Sequence, residues 1–400
     1  MNRLQFIDGL RGYFLVFMMI NHLNFTGGYW LVKLNHNQLA FVEDAQGFIF
    51  LSGLLVGLVY ARKMIKSGFM AGASAVWRRA RQLYVYVLVA LAILLVAAAL
   101  LPDAAQLWSP WMGDLSITDP VRVISAMLMV YQPTYMDILP QYILYMLVAP
   151  FALWLCLNGR WGVVALVSFL LWFTVQLGLQ TVLTTPIDRA LVGEGQFGIR
   201  AHFNILAWQT VFFSGVVLGT LTAQKKIDWT RVFSPERSII PVAALAVCLF
   251  FLPLRVATGY GLMSEDLLQR FMPFEVRATF GPVYLLNFVA AAAGVAWLAI
   301  AGPRHRFAFV RAIANALHWV MTLQFLQLIG RHSLQVYAWH IIIVYGLIYV
   351  DLKTPVFSEL TKTLIAFLGI SLLAIPALWR ERDKTGGEGG TPAASPRVPR

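Results

Sequence analysis

The chain has 400 residues, of which 59% are hydrophobic and 12% are charged, and its mean hydropathy is +0.69. Soluble domains carry about 25% charged residues, so this composition excludes an ordinary soluble protein and predicts one that lies mostly in membrane lipid. The formal net charge of +12 does not call for nucleic acid as a partner, because the cytoplasmic loops of membrane proteins are rich in Lys and Arg.

Ten apolar runs follow one another along the chain and are predicted to span the membrane, since a helix satisfies its own backbone hydrogen bonds in lipid. They lie near residues 6–25, 46–61, 83–101, 139–157, 161–181, 205–223, 238–254, 281–301, 332–350 and 361–379. A shorter run at 121–131 is too brief to span and is interpreted as a re-entrant or interfacial helix. The predicted fold class is therefore all-α, a polytopic bundle of about ten transmembrane helices.

The predicted domain is one transmembrane unit, residues 1–380, with both termini in the cytoplasm. The start, Met1 to Arg11, has no signal-peptide cleavage site and is interpreted as part of an uncleaved first span. With an even number of spans, four basic clusters fall on the cytoplasmic side. They are Arg62/Lys63/Lys66/Arg78/Arg79/Arg81, Lys225/Lys226/Arg231/Arg237, Arg304/Arg306/Arg311/Arg331 and Arg380/Arg382/Lys384. The stretch 307–329 is interpreted as an interfacial amphipathic helix, and residues 381–400 as a disordered tail.

Aromatic residues are frequent in the segments expected on the opposite side. They include Trp30, Trp108, Trp111, Tyr131 and Tyr135. One interpretation is the aromatic belt of any membrane protein, and the other is stacking against sugar rings. The sequence leaves both open.

Arg11 and His22 are the most informative residues of the first span, because ionisable residues inside an apolar span are functional candidates. Eleven residues at 100° each return to within about 20° of the same direction, with a rise of roughly 16 Å. The two side chains therefore face one way at different depths. A histidine is the side chain best suited to take a proton from a hydroxyl near neutral pH. The alternatives are that Arg11 snorkels and pairs with Asp8, and that His22 is a hydrogen-bonded core residue.

Two further candidates lie in other spans. Asp137 either caps the helix that begins near Pro140 or orients a nearby histidine, as the third group of a triad does. His340 is about 12 Å into its span, which is too deep for an interfacial role. We expect His340 to line an internal cavity or to pair with another helix.

A basic run at a helix start, Arg78, Arg79 and Arg81, is either an anchor at the cytoplasmic interface or a site for a multiply phosphorylated ligand. The tripeptide Leu51-Ser52-Gly53 is a further candidate. The two cysteines of the chain lie in apolar runs, so neither a disulfide framework nor a zinc site is predicted. No metal and no resident cofactor are expected.

These motifs resemble a known family. Arg11, ten intervening residues and then His22 resembles the R-x10-H signature of the membrane acyltransferase family 3, and Phe50-Leu51-Ser52-Gly53 and Arg78-Arg79-Ala80-Arg81 resemble its second and third motifs. Asp8-Gly9-Leu10-Arg11-Gly12, Met136-Asp137-Ile138-Leu139-Pro140 and the stretch from Gly330 to His340 are similar to the OpgC branch, the succinyltransferases of osmoregulated periplasmic glucans.

The resemblance implies a protein of the bacterial inner membrane that takes an acyl group from cytoplasmic acyl-CoA, with succinyl-CoA as donor substrate, and delivers it to a periplasmic β-glucan. His22 would be the catalytic histidine, assisted by Asp137. Arg11 would lie along the acyl-CoA path. The acyl-CoA would also be contacted by Arg78, Arg79, Arg81, Ser52 and His340.

Some assignments remain open in the sequence. Asn21, Asn24 and Tyr337 are candidates for the donor that holds the oxyanion. A succinyl carboxylate would need a cation near the periplasmic end, and the arginines available are Arg189, Arg200, Arg255, Arg270 and Arg277. A homo-oligomer is compatible with the sequence.

Three other functions fit part of the sequence. An O-acetyltransferase of another cell-surface glycan would share the motifs. A proton-coupled secondary transporter would also use intramembrane His and Arg, but it predicts discontinuous helices at corresponding places in two halves, for which the sequence gives no sign. A non-enzymatic scaffold would leave Arg11 and His22 on one face unexplained.

Overall fold

The computed structural model describes residues 3–192 and 199–388, and the final residues of the predicted tail, 389–400, lie outside it. The helices in chain order are α1 (Arg3–His22), α2 (Asp44–Ser67), α3 (Phe69–Leu100), α4 (Ala104–Met112), α5 (Pro120–Met127), α6 (Ile138–Leu157), α7 (Trp161–Gln176), α8 (Thr181–Val192), α9 (Ile205–Ala223), α10 (Trp229–Val232), α11 (Ile239–Gly259), α12 (Glu265–Phe271), α13 (Pro282–Ile300), α14 (Ala308–Met321), α15 (Gln324–Arg331), α16 (Ser333–Lys353), α17 (Glu359–Leu372) and α18 (Ala374–Glu388). Within these ranges there is no β-strand, only a single bridge between Tyr131 and Arg200.

Eight helical segments of the described chain are long and apolar enough to cross a membrane, or up to ten if each of two bent helix pairs counts as one span. The eight are α2, α3, α6, α9, α11, α13, α16 and the segment formed by α17 and α18. The bent pairs are α7 with α8, at 69°, and α14 with α15, at 57°. The predicted fold class, a polytopic helical membrane bundle of about ten spans, is confirmed.

The first helix, α1, is not among these segments, because Asp8, Arg11 and its terminal Asn21 and His22 lower its hydropathy. It is nevertheless enclosed by protein, since it packs against α2, α14, α15, α16 and α17. Its role as the first span stays a prediction.

Three segments differ in detail from the predicted helices. The short run at 121–131 contains α5, which Asp119 caps by accepting hydrogen bonds from the backbone N–H groups of Val121 and Arg122. The stretch 307–329 is not one helix but the bent pair of α14 and α15, whose second member packs on α1. The last helix, α18, runs past Arg380 to Glu388, into the segment expected to be disordered.

The helices alternate in direction, so that the basic clusters gather at one end of the bundle. Hydrogen bonds join neighbouring elements there, from the Gln224 side chain to the Leu157 carbonyl and from the Trp297 indole to the Ser234 carbonyl. We call this the basic end. We call the opposite end, where α1 finishes and α6 begins, the His22 end.

Glycines allow α2 and α9 to pack closely. On α2 a Cβ at Gly53 would meet the Phe212 carbonyl oxygen, and on α9 a Cβ at Gly215 would meet the Phe50 carbonyl oxygen. Gly57 and Gly219 repeat this contact one turn further along. Small residues at a spacing of four let backbones approach in a membrane. Gly53 of the predicted Leu-Ser-Gly motif therefore has a packing role.

Candidate active site

The site is built around a pair of histidines from α1 and α16. The Nδ1 atom of His22 lies 2.9 Å from Nε2 of His340, and Nδ1 of His340 lies 2.5 Å from the Tyr337 carbonyl oxygen. His340 is 1% exposed. The expectation that His340 pairs with another helix is thus met by His22 itself, 318 residues away in the chain.

The hydrogen bonds select one arrangement of protons in the neutral pair. A carbonyl oxygen can only accept, so Nδ1 of His340 carries a hydrogen and its Nε2 is an acceptor. Nδ1 of His22 must then carry the hydrogen that it donates to His340. This leaves Nε2 of His22 with a free lone pair, which is the form that a general base needs.

Tyr135 covers the His22 ring. The two ring centroids are 4.2 Å apart with an angle of 32° between the planes. The Tyr135 hydroxyl accepts a hydrogen bond from the Trp111 indole at 3.1 Å, and the Tyr337 hydroxyl donates to the Tyr135 carbonyl at 2.8 Å. Tyr135 has φ of 72°, a left-handed conformation that is unusual for a large residue and that concentrates at functional sites.

A second polar cluster holds the end of α1. The Asp44 carboxylate accepts hydrogen bonds from the side-chain amides of Asn21, at 2.8 Å, and Asn35, at 2.9 Å. His36 lies 3.8 Å from the same carboxylate and 3.3 Å from the Tyr13 hydroxyl. Burial lowers the pKa of His36 to about 4, so this ring is neutral at pH 7. Because Asn21 directly precedes His22, the cluster fixes the position of the histidine.

The loop after His22 is anchored from the other side. The Asp351 carboxylate accepts hydrogen bonds from the backbone N–H and the hydroxyl of Thr26, both at 2.8 Å. The buried Lys362 donates to the carbonyls of Thr26 and Gly28 at 3.0 and 2.6 Å. Neither Asp351 nor Lys362 could be identified as a site residue from the sequence, because both lie near the ends of apolar runs.

Asp137 forms no hydrogen bond to His22 in the described part of the chain. Its carboxylate is 4% exposed, and burial raises its pKa from 3.8 to about 6. Hydrogen bonds from the backbone of Asp137 and Tyr135 and the charges of Arg277 and Arg200 act in the opposite direction. His340, not Asp137, occupies the position that orients His22 by a hydrogen bond. Help from Asp137 would act through the backbone that carries Tyr135, and its catalytic role stays a prediction.

Arg11 and Ser52 lie deeper, between the histidines and the basic end. The Arg11 guanidinium is over the Phe48 ring at 5.6 Å, its side chain is 9% exposed, and its Nε has no hydrogen-bond partner among the described residues. Ser52 is one turn after Phe48 on the same face of α2, and its buried hydroxyl likewise lacks a partner within the described chain. Arg11 forms no direct ion pair with Asp8 in the described part of the chain, and its role stays a prediction.

The three arginines of the basic run do not act alike. Arg78 and Arg81 are exposed on α3, whereas Arg79 is half-buried on a different face. The Arg79 guanidinium donates a hydrogen bond to the Gln82 side chain at 3.3 Å. Arg79 is therefore the least exposed arginine of this run.

The remaining predicted residues differ in whether their polar groups are already bonded and in how exposed they are. Of the three oxyanion candidates, Asn21 donates to Asp44 and Tyr337 donates to Tyr135, while Asn24 is exposed. Of the aromatic residues, Trp108 is buried against Tyr345, which fits neither a membrane belt nor a sugar platform.

A cavity of about 600 Å³ opens at the His22 end, beside the loop that carries Tyr131 and Tyr135. It is lined by Asp114, Arg122, Tyr131 and Arg200 together with Gly113, Ile199 and Ala201. The guanidinium groups of Arg122 and Arg200 lie 4.9 and 5.7 Å from the Tyr131 ring. No cluster of potential metal ligands is found in residues 3–192 and 199–388.

The family model described as OpgC protein matches residues 3–385, which is nearly the whole chain. A search of curated proteins and a search of solved structures returned no significant match.

Proposed function

Because this chain belongs to the OpgC family, we propose that it is a succinyltransferase of the bacterial inner membrane. The family points to an acyltransferase related to osmoregulated periplasmic glucans. Our finer proposal is that succinyl-CoA from the cytoplasm is the donor, that a hydroxyl of a periplasmic β-glucan is the acceptor, and that His22 is the general base.

The observation that carries the proposal is the hydrogen-bond sequence from the Tyr337 carbonyl through His340 to His22. A sugar hydroxyl has a pKa far above 7 and needs a base before it can attack a thioester. His22 offers a bare Nε2 for this proton. His340 holds the opposite nitrogen and accepts its hydrogen bond when His22 becomes a cation, so it acts as a positioning residue.

The donor would approach from the basic end. Arg79 stands at the start of the path, and Arg11 and Ser52 follow along α1 and α2 as buried polar groups whose Nε and hydroxyl have no partner within the described residues. A phosphorylated carrier with a long polar arm would give such groups their missing partners. The part of this path from Arg11 to His22 would be roughly 16 Å long, which is the rise between the two residues on α1.

The acceptor would approach from the opposite side. Tyr135 lies against the His22 ring, and an aromatic face suits the C–H face of a sugar. The cavity beside Tyr131 gives room for further sugar units at the same end. This supports the sugar-stacking interpretation for Tyr135 and Tyr131 but not for the buried Trp108.

The transfer would proceed in one displacement. Nε2 of His22 takes the hydroxyl proton while the sugar oxygen forms a bond to the thioester carbon. The tetrahedral intermediate then expels the CoA sulfur, which receives the proton from His22 and leaves as a thiol. No covalent acyl-enzyme is needed, since Cys156 is fully buried and Cys248 lies on the outer helix α11.

The transporter alternative gains some support from the two bent helix pairs, which the sequence did not reveal. In transporters of that kind the broken helix ends form the binding site. Here the histidines come from α1 and α16, and neither bend contributes a contact to them. The enzyme therefore remains the better account.

The direct test is transfer by the purified, lipid-reconstituted protein with succinyl-CoA and a periplasmic β-glucan. We expect the wild type to release CoA and to yield succinylated glucan, and His22→Ala to lose at least about 100-fold in rate, as for removal of a general base.

His318→Ala is the matched control. This histidine bonds to the Ala299 carbonyl at the basic end and forms no hydrogen bond to the histidine pair, so the variant should retain transfer. A folded wild type that produces neither CoA nor acylated glucan contradicts the proposed enzyme. Full activity of His22→Ala would contradict only the choice of base.

A further inference from the structure

Arginines near the His22 end differ in how much of each guanidinium is already engaged. Arg200 donates to the Tyr131 hydroxyl and to the Trp111 carbonyl, and Arg255 donates to the Asn37 carbonyl at 2.6 Å. Arg270 is exposed and binds Asp266 on its own helix through two nitrogens. Arg189 lies exposed on α8. Of these four, Arg200 comes nearest to the site, since its charge also acts on Asp137, but its guanidinium is already engaged by the Tyr131 hydroxyl and the Trp111 carbonyl.

Arg277 is different. It lies in the loop before α13, where its carbonyl accepts hydrogen bonds from the Trp208 indole and the Phe280 backbone N–H. Its guanidinium lies 5.5 Å from the Phe203 ring, and its Nε is 3.8 Å from the Glu43 carboxylate. The side chain is 44% exposed. Its two terminal nitrogens make no hydrogen bond to any residue of the described chain, so a donor fork stays open.

Short contacts connect Arg277 to the histidine site. Glu43 precedes Asp44, and Asp44 holds Asn21, the residue before His22. The charge of Arg277 also reaches the other side of the site. Together with burial it lowers the pKa of His202, and it opposes the effect of burial on the pKa values of Asp137 and Tyr135. Arg277 therefore lies between the start of α2, which carries Asp44, and the start of α6, where the Gln141 side chain donates to the Phe203 carbonyl.

We propose that Arg277 receives the free carboxylate of a dicarboxylic acyl donor and thereby selects that donor over neutral acyl groups. This inference rests on the proposed function. In an extended succinyl group the free carboxylate carbon lies about 4 Å beyond the thioester carbon. Two parallel N–H groups of one guanidinium match the two oxygens of a carboxylate, which makes the contact directional.

The test compares two donors of equal length. Succinyl-CoA and butyryl-CoA both carry a four-carbon acyl chain, but only the first has a terminal carboxylate. We would measure kcat/KM for each donor, with the same β-glucan, in wild type, Arg277→Gln, Arg277→Lys and the control Arg270→Gln, all full-length and in lipid nanodiscs.

We expect Arg277→Gln to lower kcat/KM for succinyl-CoA about 10- to 100-fold, the range for one lost hydrogen-bonded charge pair. Butyryl-CoA should change less than about 3-fold, so the preference between donors collapses. Arg277→Lys keeps the charge without the fork and should recover part of the preference. Arg270→Gln should behave as wild type.

Each other outcome has a distinct meaning. An equal loss with both donors would assign Arg277 to the acceptor or to folding and would overturn the proposal, as would no loss at all. A lowered melting temperature of Arg277→Gln, together with normal activity of Arg277→Lys toward both donors, would identify a folding defect. Transfer of butyryl but not succinyl by the wild type would overturn the dicarboxylic donor class. Transfer of neither would instead refute the proposed function.

Discussion

Replacing His340 by Ala tests the histidine pair most sharply. The substitution removes the Nε2 atom that lies 2.9 Å from His22 Nδ1, in a site where His340 is 1% exposed. A buried donor left without its acceptor costs about 1–3 kcal/mol, and 1.36 kcal/mol corresponds to a factor of ten in rate. We therefore expect kcat to fall about 10- to 100-fold.

A second substitution separates orientation from packing. In His340→Gln the side-chain amide oxygen can still accept from His22, so this variant should retain most of kcat, within about 10-fold of wild type. The assay is CoA thiol release at saturating glucan, with KM for succinyl-CoA measured in parallel. Trp339→Phe is the control for α16, because its indole bonds to the Leu372 carbonyl of α17 and not to the histidine pair.

Two results would refute this reasoning. An unchanged kcat in His340→Ala would show that His22 needs no partner. A raised KM with unchanged kcat would instead make His340 a donor-binding residue, as the family resemblance suggested. Equal loss of activity and melting temperature in the Ala and Gln variants would indicate a packing role.

Four further changes test other parts of the structure. Tyr135→Leu should lower kcat/KM about 3- to 10-fold more than Tyr135→Phe, because only Phe keeps the ring contact with His22; equal effects in the transfer assay would contradict a stacking role. Gly53→Ala should reduce thermal stability by about 1–3 kcal/mol, since its Cβ would meet the Phe212 carbonyl, whereas Gly346→Ala, with open space at that position, should not. Arg79→Gln should raise KM for succinyl-CoA by about 10-fold and Arg78→Gln by less than about 3-fold, because a charged hydrogen bond to the donor is lost only if the side chain faces the donor path. A larger increase of KM in Arg78→Gln than in Arg79→Gln would contradict this path. Burial raises the pKa of Asp137 from 3.8 to about 6, so the native carboxyl keeps a proton that the unfolded chain releases, and wild type should lose up to about 3 kcal/mol of stability as pH rises from about 4 to 6. Asp137→Asn lacks this loss, and its melting temperature should exceed that of wild type at pH 7 but not at pH 4.

Most of the helices could be predicted from hydropathy alone, because lipid demands about 20 apolar residues for each span. The bends could not. The break between α14 and α15 follows from close packing of α15 on α1, where Gly12 faces the Leu326 carbonyl and Gly330 faces the Asp8 carbonyl. The average hydropathy of a sequence segment contains no information about which glycines face the backbone of a neighbouring helix.

The individual site residues were visible in the sequence, but their partnerships were not. His22 and His340 stood out because an ionisable residue in an apolar run is rare. Their contact joins the first helix to α16, and no local pattern encodes a pairing over that separation. For the same reason Arg277 could not be selected among the five arginines from the sequence. The selection depends on which guanidinium groups already donate hydrogen bonds to carbonyl oxygens.

The use of histidine, rather than a carboxylate, as the partner of His22 has a physical reason. A carboxylate buried beside His22 would have to lose its hydration before any proton moved, and such a charge is expensive away from water. A neutral imidazole orients the base through one hydrogen bond and buries no charge in the resting site. When His22 takes the proton of the acceptor, Nε2 of His340 is already placed to share the cation, so the charge exists only while the transfer takes place. Two buried carboxylates hold the chain on either side of His22 instead, since Asp44 accepts from the Asn21 side-chain amide and Asp351 accepts from the Thr26 backbone N–H.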